Sequence, residues 1–343
     1  MLSPTMTAAI VESTNGPFIL RELARPEPGP GQVLVQIAAS GTNPLDTKIR
    51  AGEAPHAKQP LPAILGMDLA GIVVAVGEGV ADFQIGDSVF GLTGGVGGLQ
   101  GSHAQFAAVD ARLLARKPDA LTMRQTCVLP LVVITAWEGL IDRAQVQAGQ
   151  TVLVQGGGGG VGHVAVQIAL ARGARVFATA FGGDLEYVRG LGATPIDGSD
   201  ETEAYVEEHT GGRGFDLVYD TIGGPVLDAS FRAVKRFGHV VSCLGWGTHK
   251  LAPLSFKQAT YSGVFTLHTL LADEGRAHFG EILSEASALI ETGKLFPRLD
   301  PRVFSIKEIE AAYGAVLGQN GTVRQRGKIA ISIDPQSDHP QRG

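Results

Sequence analysis

Cysteine is nearly absent. Cys127 and Cys243 are the only two in 343 residues, too few for a disulfide framework or a four-cysteine zinc lobe, so a reducing compartment is expected. Positive charge is also short: 28 Lys and Arg stand against 34 Asp and Glu, a formal net charge of −6. That balance offers no basic surface for nucleic acid or an anionic membrane. No apolar run reaches membrane-spanning length uninterrupted, and the opening MLSPTMTAAIVES has neither the cationic nor the apolar region of a secretion signal. The nine histidines, His103 and His268 included, form no spaced ligand cluster. A soluble, cytoplasmic protein with a small-molecule partner is expected.

Glycine, in contrast, is plentiful, and its densest run organises the chain. Thr151 to Ala180 reads TVLVQGGGGGVGHVAVQIALARGARVFATA: a β-branched run, five glycines, an apolar helical segment, and a second β-like run at Arg175 to Thr179. This is a βαβ unit. One register of G-x-G-x-x-G fits, with Gly157, Gly159 and Gly162. There the chain must turn tightly, approach a pyrophosphate and pack a helix closely on a strand. Phosphates would meet the N–H groups of Gly160, Val161 and Gly162 at the positive end of the helix dipole. A flexible glycine linker would not be flanked directly by strand and helix patterns.

At 343 residues two domains are the default. The first ~130 residues read as short strands (Thr7 to Glu12, Gln32 to Ala39, Ala70 to Val76, Asp87 to Leu92, Ala104 to Val109) between Gly/Pro turns, a barrel-like β-rich domain. A helical connection follows at Thr122 to Ala144, with Pro130 expected to bend it. Strands at Pro195 to Asp197, Asp216 to Thr221, His239 to Leu244 and Gly263 to Leu267 then alternate with helices at Glu201 to His209 and Pro225 to Arg236, the pattern of a doubly wound parallel sheet. An amphipathic helix comes after Asp273, with Phe279, Ile282, Leu283, Ala286, Leu289 and Ile290 on its apolar stripe. Another starts at a Ser305/Glu308 capping box, and a strand closes the chain at Gly327 to Ile333. These last elements exceed a six-stranded nucleotide domain and are assigned to the first one. The tail from Asp334 to Gly343 is expected to be disordered.

Taken in order, SGTNPLDTKIRAG (Ser40 to Gly52), ILGMDLAGIVVAVGEGV (Ile64 to Val80), IGDSVFG (Ile85 to Gly91), TAWEGL (Thr135 to Leu140), the glycine unit and FDLVYDTIGG (Phe215 to Gly224) resemble the medium-chain dehydrogenase/reductase superfamily, in its zinc-independent quinone oxidoreductase branch. The resemblance covers nearly the whole chain. It implies an α/β protein with a GroES-like β-rich catalytic domain, residues 1–131 and 268–343, and an inserted Rossmann domain, residues 132–267, with a cofactor cleft between them and a homodimer. Zinc-dependent relatives carry a Cys after the second strand and a Gly-His-Glu motif later. Here Asn43 stands in the region of the Cys, and Gly66, Met67 and Asp68 replace Gly-His-Glu, so no metal is expected.

Without a metal, hydride addition to a quinone or enone needs hydrogen-bond donors for the developing oxyanion. Family position nominates Asn43 and Lys48, with a turn-capping role for Asn43 and a solvated helix face for Lys48 as the alternatives; Asp46 suits a helix cap. Thr135 matches a family Thr near the nicotinamide. Leu244, Gly245, Phe265, Thr266 and Leu267 fall at strand ends, where ligands bind in such sheets. Thr179, Ala180 and Phe181 end the second strand of the glycine unit, and Ala180 stands where NAD sites place an acid. NADP(H) is therefore expected, with Lys328 as a base for its 2′-phosphate, while nearby Asp184 keeps NAD(H) open. The activity implied is reduction of a quinone or α,β-unsaturated carbonyl. An enoyl-thioester reductase and a non-catalytic NADPH-binding protein are the rivals.

Overall fold

The computed structural model describes residues 2–318 and 327–334; apart from Asp334, the tail expected to be disordered lies outside the described residues. The described residues fall into two compact units. One draws on Met1–Leu131, Leu267–Glu291 and Pro297–Gly343, the other on Val132–Thr266 and Thr292–Phe296.

In the first unit, β-branched runs closed by turns form β1 (Thr5–Val11), β2 (Phe18–Ala24), β3 (Gln32–Gly41), β4 (Ala63–Ile64), β5 (Asp68–Val76), β6 (Ser88–Leu92), β7 (Phe106–Asp110) and β8 (Leu114–Arg116). β2, β1 and β4 make a three-stranded sheet. A seven-stranded one is built round β3, with β5, β6 and β8 on one side, the short strands Ala330–Ser332 and Phe304–Ser305 on the other, and β7 also paired to β3. β3 is buried along most of its length, which suits its continuous apolar sequence. Its far end pairs Ala39–Gly41 with Ala330–Ser332, and this pairing brings the C-terminal strand beside Thr42 and Asn43. The five strands expected from sequence are present with ends shifted by a few residues. β2 was not anticipated, because its charged residues face outward and break up the apolar run.

The helix Arg276–Glu291 buries Phe279, Ile282, Leu283, Ala286 and Ile290, as the 3.6 spacing predicts. Ser305 donates to Glu308 Oε2 from its N–H at 2.9 Å and its hydroxyl at 2.8 Å. A 3-10 turn then leads into the helix Ile309–Leu317.

The second unit has six parallel strands, β9 (Thr151–Gln155), β10 (Arg175–Ala180), β11 (Thr194–Asp197), β12 (Phe215–Asp220), β13 (Val234–Ser242) and β14 (Thr260–Gly263). Their order, β11-β10-β9-β12-β13-β14, is 3-2-1-4-5-6 in the unit's own count, the doubly wound arrangement of dinucleotide-binding sheets. Two expectations are corrected. The sixth strand ends at Gly263, so Phe265 and Thr266 lie past it, and Leu267 opens the helix Leu267–Ala272. Pro130 starts the helix Pro130–Trp137 rather than bending one, since proline costs nothing in a first turn whose N–H has no partner anyway. The helical stretch Met123–Arg143 is long and apolar enough to cross a membrane, but 72% of its apolar 18-residue window is buried inside the protein, as core helices are.

Candidate active site

The glycine loop follows β9. Gly156 has φ +79°, a left-handed conformation that glycine adopts without strain. A Cβ on Gly157 would lie 2.6 Å from Ala178 Cβ, and one on Gly162 would lie 2.0 Å from the Gly156 carbonyl oxygen, so side chains are excluded where helix and strand pack. Gly159 is the N-cap of the helix Gly160–Ala171. Gly160, Val161 and Gly162 form its first turn, whose N–H groups have no intrahelical acceptor. This cradle fits the diphosphate of a dinucleotide.

Thr179 fixes the loop rather than facing a ligand. Its hydroxyl accepts the Gly156 N–H at 2.9 Å and donates to Gln155 Oε1 at 2.8 Å, and its carbonyl accepts the Gly157 N–H at 2.9 Å. Ala180 is buried, while Phe181 is exposed. Ala180 pairs in register with Asp197 of β11, and residues 180–184 and 197–200 carry Asp184, Asp197 and Asp200 but no Lys or Arg. Beyond β13, Leu244 donates its N–H to Ser242 Oγ at 3.1 Å, and a Cβ on Gly245 would meet the Tyr261 hydroxyl oxygen at 2.1 Å. Thr135 and Thr266 are buried and share a 3.2 Å hydrogen bond, and Thr266 donates to Glu138 at 2.5 Å. Phe265 is partly exposed, edge-on to Trp246 with ring centroids 5.9 Å apart. Leu267 is buried in the other unit, which corrects its placement in the nucleotide domain.

The first unit encloses a cluster of polar groups that the sequence did not foretell as a cluster. Asn43 caps the helix Pro44–Arg50 and is 2% exposed. Its Nδ2 donates to Asp68 Oδ2 at 2.8 Å, and its Oδ1 accepts from the Lys328 ammonium. Lys328 also donates to the Thr42 carbonyl at 2.7 Å and to Asp68 Oδ2 at 3.5 Å. Three ammonium hydrogens thus meet three acceptors. Asp68 Oδ1 accepts the Leu131 N–H at 2.8 Å. Burial raises the Asp68 pKa, and the Lys328 charge works against that rise. One expectation fails here: Lys328, 4% exposed, has no donor left for a 2′-phosphate. Asn43 is bonded at both ends of its amide, with one Nδ2 hydrogen still to place.

A second branch runs from the same helix. Asp46 Oδ2 accepts the Asn43 N–H and the Tyr313 hydroxyl, both at 2.8 Å. Because Tyr313 gives its proton to Asp46, His103 Nε2 must donate to the Tyr313 oxygen, at 2.6 Å, and His103 Nδ1 accepts from Ser40 at 3.0 Å. Ser40 in turn bonds Ser102 at 2.6 Å. Burial pushes Asp46 up to about 7, against the pull of the Asn43 N–H and Tyr313, and pushes His103 down to about 3. Lys48, on the same helix, is exposed, and its ammonium has no hydrogen bond or ion pair among the described residues. It lines a groove of about 430 Å³ with Asn15, Thr47, Arg50, Glu310 and Tyr313.

A catalytic zinc would need about three N, S or O ligands and an open position. The family's ligand positions hold Asn43, Met67 and Asp68, and the one carboxylate is engaged by Asn43, Lys328 and Leu131. Among the described residues no three His, Cys, Asp or Glu could hold a metal. These residues do not fit a zinc ion.

Residues 29–119 match the family model of the alcohol dehydrogenase GroES-like domain, and residues 160–287 match that of the zinc-binding dehydrogenases. The chain is 35% identical over 313 residues to an NADPH-dependent alkenal/one oxidoreductase of Arabidopsis thaliana, covering 89% of this chain and 73% of that one. It is 34% identical over 307 residues to a phenolphthiocerol synthesis polyketide synthase of Mycobacterium bovis. There it covers 88% of its own length but spans only 14% of the synthase. Among solved structures, an alcohol dehydrogenase superfamily protein from Novosphingobium aromaticivorans is 81% identical, with a TM-score of 0.96 over 96% of this chain and all of that one.

Proposed function

The chain belongs to the medium-chain dehydrogenase/reductase superfamily, and from that premise we propose that it is a zinc-independent reductase passing hydride from NADPH to a quinone or an α,β-unsaturated carbonyl. The observation that carries this reading is the polar cluster round Asp68, whose positive charge is the Lys328 ammonium. With no metal ligand set there, polarisation of the acceptor falls to N–H donors. Conjugated acceptors suit such a site, because hydride adds at carbon while the charge collects on a carbonyl oxygen.

When bound, the cofactor supplies the hydride. Gly160, Val161 and Gly162 would hold its diphosphate, with Gly157 and Gly159 shaping the close turn, and Leu244, Gly245 and Phe265 lie at strand ends where its nicotinamide half would belong. The Lys48 ammonium, exposed and unpaired among the described residues, would donate to the acceptor oxygen as charge builds. Asn43 caps and orients the helix that carries Lys48. With an enone, hydride would add at the β-carbon and solvent would give the proton to the α-carbon; with a quinone, hydride and one solvent proton would yield the hydroquinone. The relatives' names favour NADPH, as does the missing acid at Ala180. Against it stand Asp184, Asp197 and the loss of Lys328 as a phosphate partner, so NADH is kept as the measured rival.

The test is oxidation of NADPH and of NADH by extensively chelated protein over a panel of quinones, enones and enoyl thioesters. Turnover of an enone or quinone with NADPH is expected. Cofactor binding without oxidation would make the protein a binder, activity confined to enoyl thioesters would select the enoyl reductase reading, and activity lost with a stoichiometric zinc would overturn the metal-free site. A chain with only two cysteines suits a cytoplasmic location.

A further inference from the structure

Asp220 ends β12 and is fully buried, yet no Lys or Arg pairs with it among the described residues. Its carboxylate is held by neutral donors instead. Oδ1 accepts the N–H groups of Ile222 at 3.1 Å and Gly223 at 3.0 Å, while Oδ2 accepts Gly223 N–H at 3.1 Å and the Ser242 hydroxyl at 2.6 Å. A buried charge without a counter-ion is costly unless fixed dipoles surround it. These dipoles belong to two loops. Ile222 and Gly223 lie in the turn after β12. Ser242 ends β13 in register with Asp220, and its oxygen accepts the Leu244 N–H at 3.1 Å. Gly223, at φ +79°, packs so closely on the second loop that a Cβ would lie 2.4 Å from the Leu244 carbonyl oxygen. The next residue along from Asp220 extends the tie: Thr221 donates to the Gln155 carbonyl at 2.7 Å, directly before the glycine loop.

We infer that Asp220 is a positioning residue for the nicotinamide cofactor, clamping the loop at Leu244 and Gly245 and, with Thr221, the start of the glycine loop in one fixed arrangement at the carboxyl edge of the sheet. The inference deepens the proposed function and rests on it. The carboxylate touches no ligand in this account; it sets the backbone that does. Because it accepts two amides of the first loop and the Ser242 hydroxyl, which itself accepts the Leu244 N–H, a shift of either loop pulls on a buried carboxylate or on its relay. Ser242 is the relay, passing the restraint from Asp220 to the Leu244 N–H.

The test uses the full chain with Asp220→Ala, Asp220→Asn, Ser242→Ala and Thr221→Val, each first matched to wild type by circular dichroism. NADPH and NADH dissociation constants come from nicotinamide fluorescence, and amide exchange is followed at Ile222, Gly223 and Leu244. Expected are a rise of at least tenfold in cofactor Kd for Asp220→Ala, partial recovery with Asp220→Asn, which keeps one acceptor oxygen, and faster exchange at all three amides. In steady state the cofactor KM should rise more than kcat falls. Ser242→Ala, which leaves the carboxylate in place, should raise Kd by several fold and speed exchange at Leu244 alone, so the proposal stays testable if Asp220→Ala does not fold. Folded variants with wild-type cofactor Kd would overturn the inference while leaving the functional reading intact. A wild-type protein that binds neither nicotinamide cofactor would overturn both.

Discussion

Single residues in the first unit were legible in kind but not in partnership. Asn43 and Lys48 stand in one six-residue stretch and invite a common role, yet of the two only Lys48 is exposed and, among the described residues, unpaired. Lys48→Met is expected to lower kcat for an enone by about tenfold to a hundredfold, the low end for one lost donor because the site is open to solvent, with cofactor Kd unchanged. Wild-type kcat would assign polarisation to another group. Asp46 looked like a simple cap, and it is one, but it is buried and bonded to Tyr313, which His103 bonds in turn, and no periodicity in the sequence announces contacts between residues so far apart. Its folded pKa of about 7 lies above the ordinary 3.8. The folded state therefore holds a proton that the unfolded state releases, and Asp46 takes stability away as pH rises from about 4 to 7. Asp68 and Lys328 face the same helix, and His103, which must stay neutral, opposes this slope on the acid side. The comparison that isolates Asp46 is Asp46→Asn against wild type: the difference in melting temperature should move in the variant's favour between pH 5 and pH 8. A difference independent of pH would mean Asp46 is ionised throughout.

Elements were read more securely than partners, because periodicity is local. The glycine loop is the clearest case. Its register was fixed by sequence, and the close approaches at Gly157 and Gly162 supply the reason. Gly162→Ala must displace the helix from the Gly156 carbonyl, so cofactor Kd should rise at least tenfold and the melting temperature should fall. Gly190→Ala is the matched control: nothing lies within 4 Å of a Cβ there, and such changes stabilise by about 0.4–1 kcal/mol. Equal behaviour of the two variants would sink the close-packing argument. The sixth strand was misplaced because Val264 to Leu267 is apolar and β-branched in part, a run that a buried loop and a helix start can satisfy equally well. Asp220 lay in plain view in FDLVYDTIGG. Only the register of β12 against β13 reveals what its carboxylate holds.

At the scale of the whole molecule, the edge of the second sheet sets an expectation about assembly. Among the described residues β14 is paired on one edge only; it contains no proline and exposes Tyr261, with Phe256 83% exposed just before it. A bare edge of this kind is prone to pair. Light scattering at micromolar concentration is expected to give a dimer, and a monomer would leave that edge without its proposed partner. The two-unit plan was foreseeable because elements beyond a six-stranded sheet had to go elsewhere.

The buried Lys328 also bears on how the chain is made. Its partner Asp68 precedes it by 260 residues, and the whole of the second unit is synthesised between them. Chains emerge from the ribosome at roughly 5–20 residues per second, with domains folding as units. For part of its synthesis the first unit therefore holds a carboxylate destined for its interior with no cation to neutralise it. That unit cannot close until its last strand arrives, so the nucleotide unit, second in position, is the first able to finish.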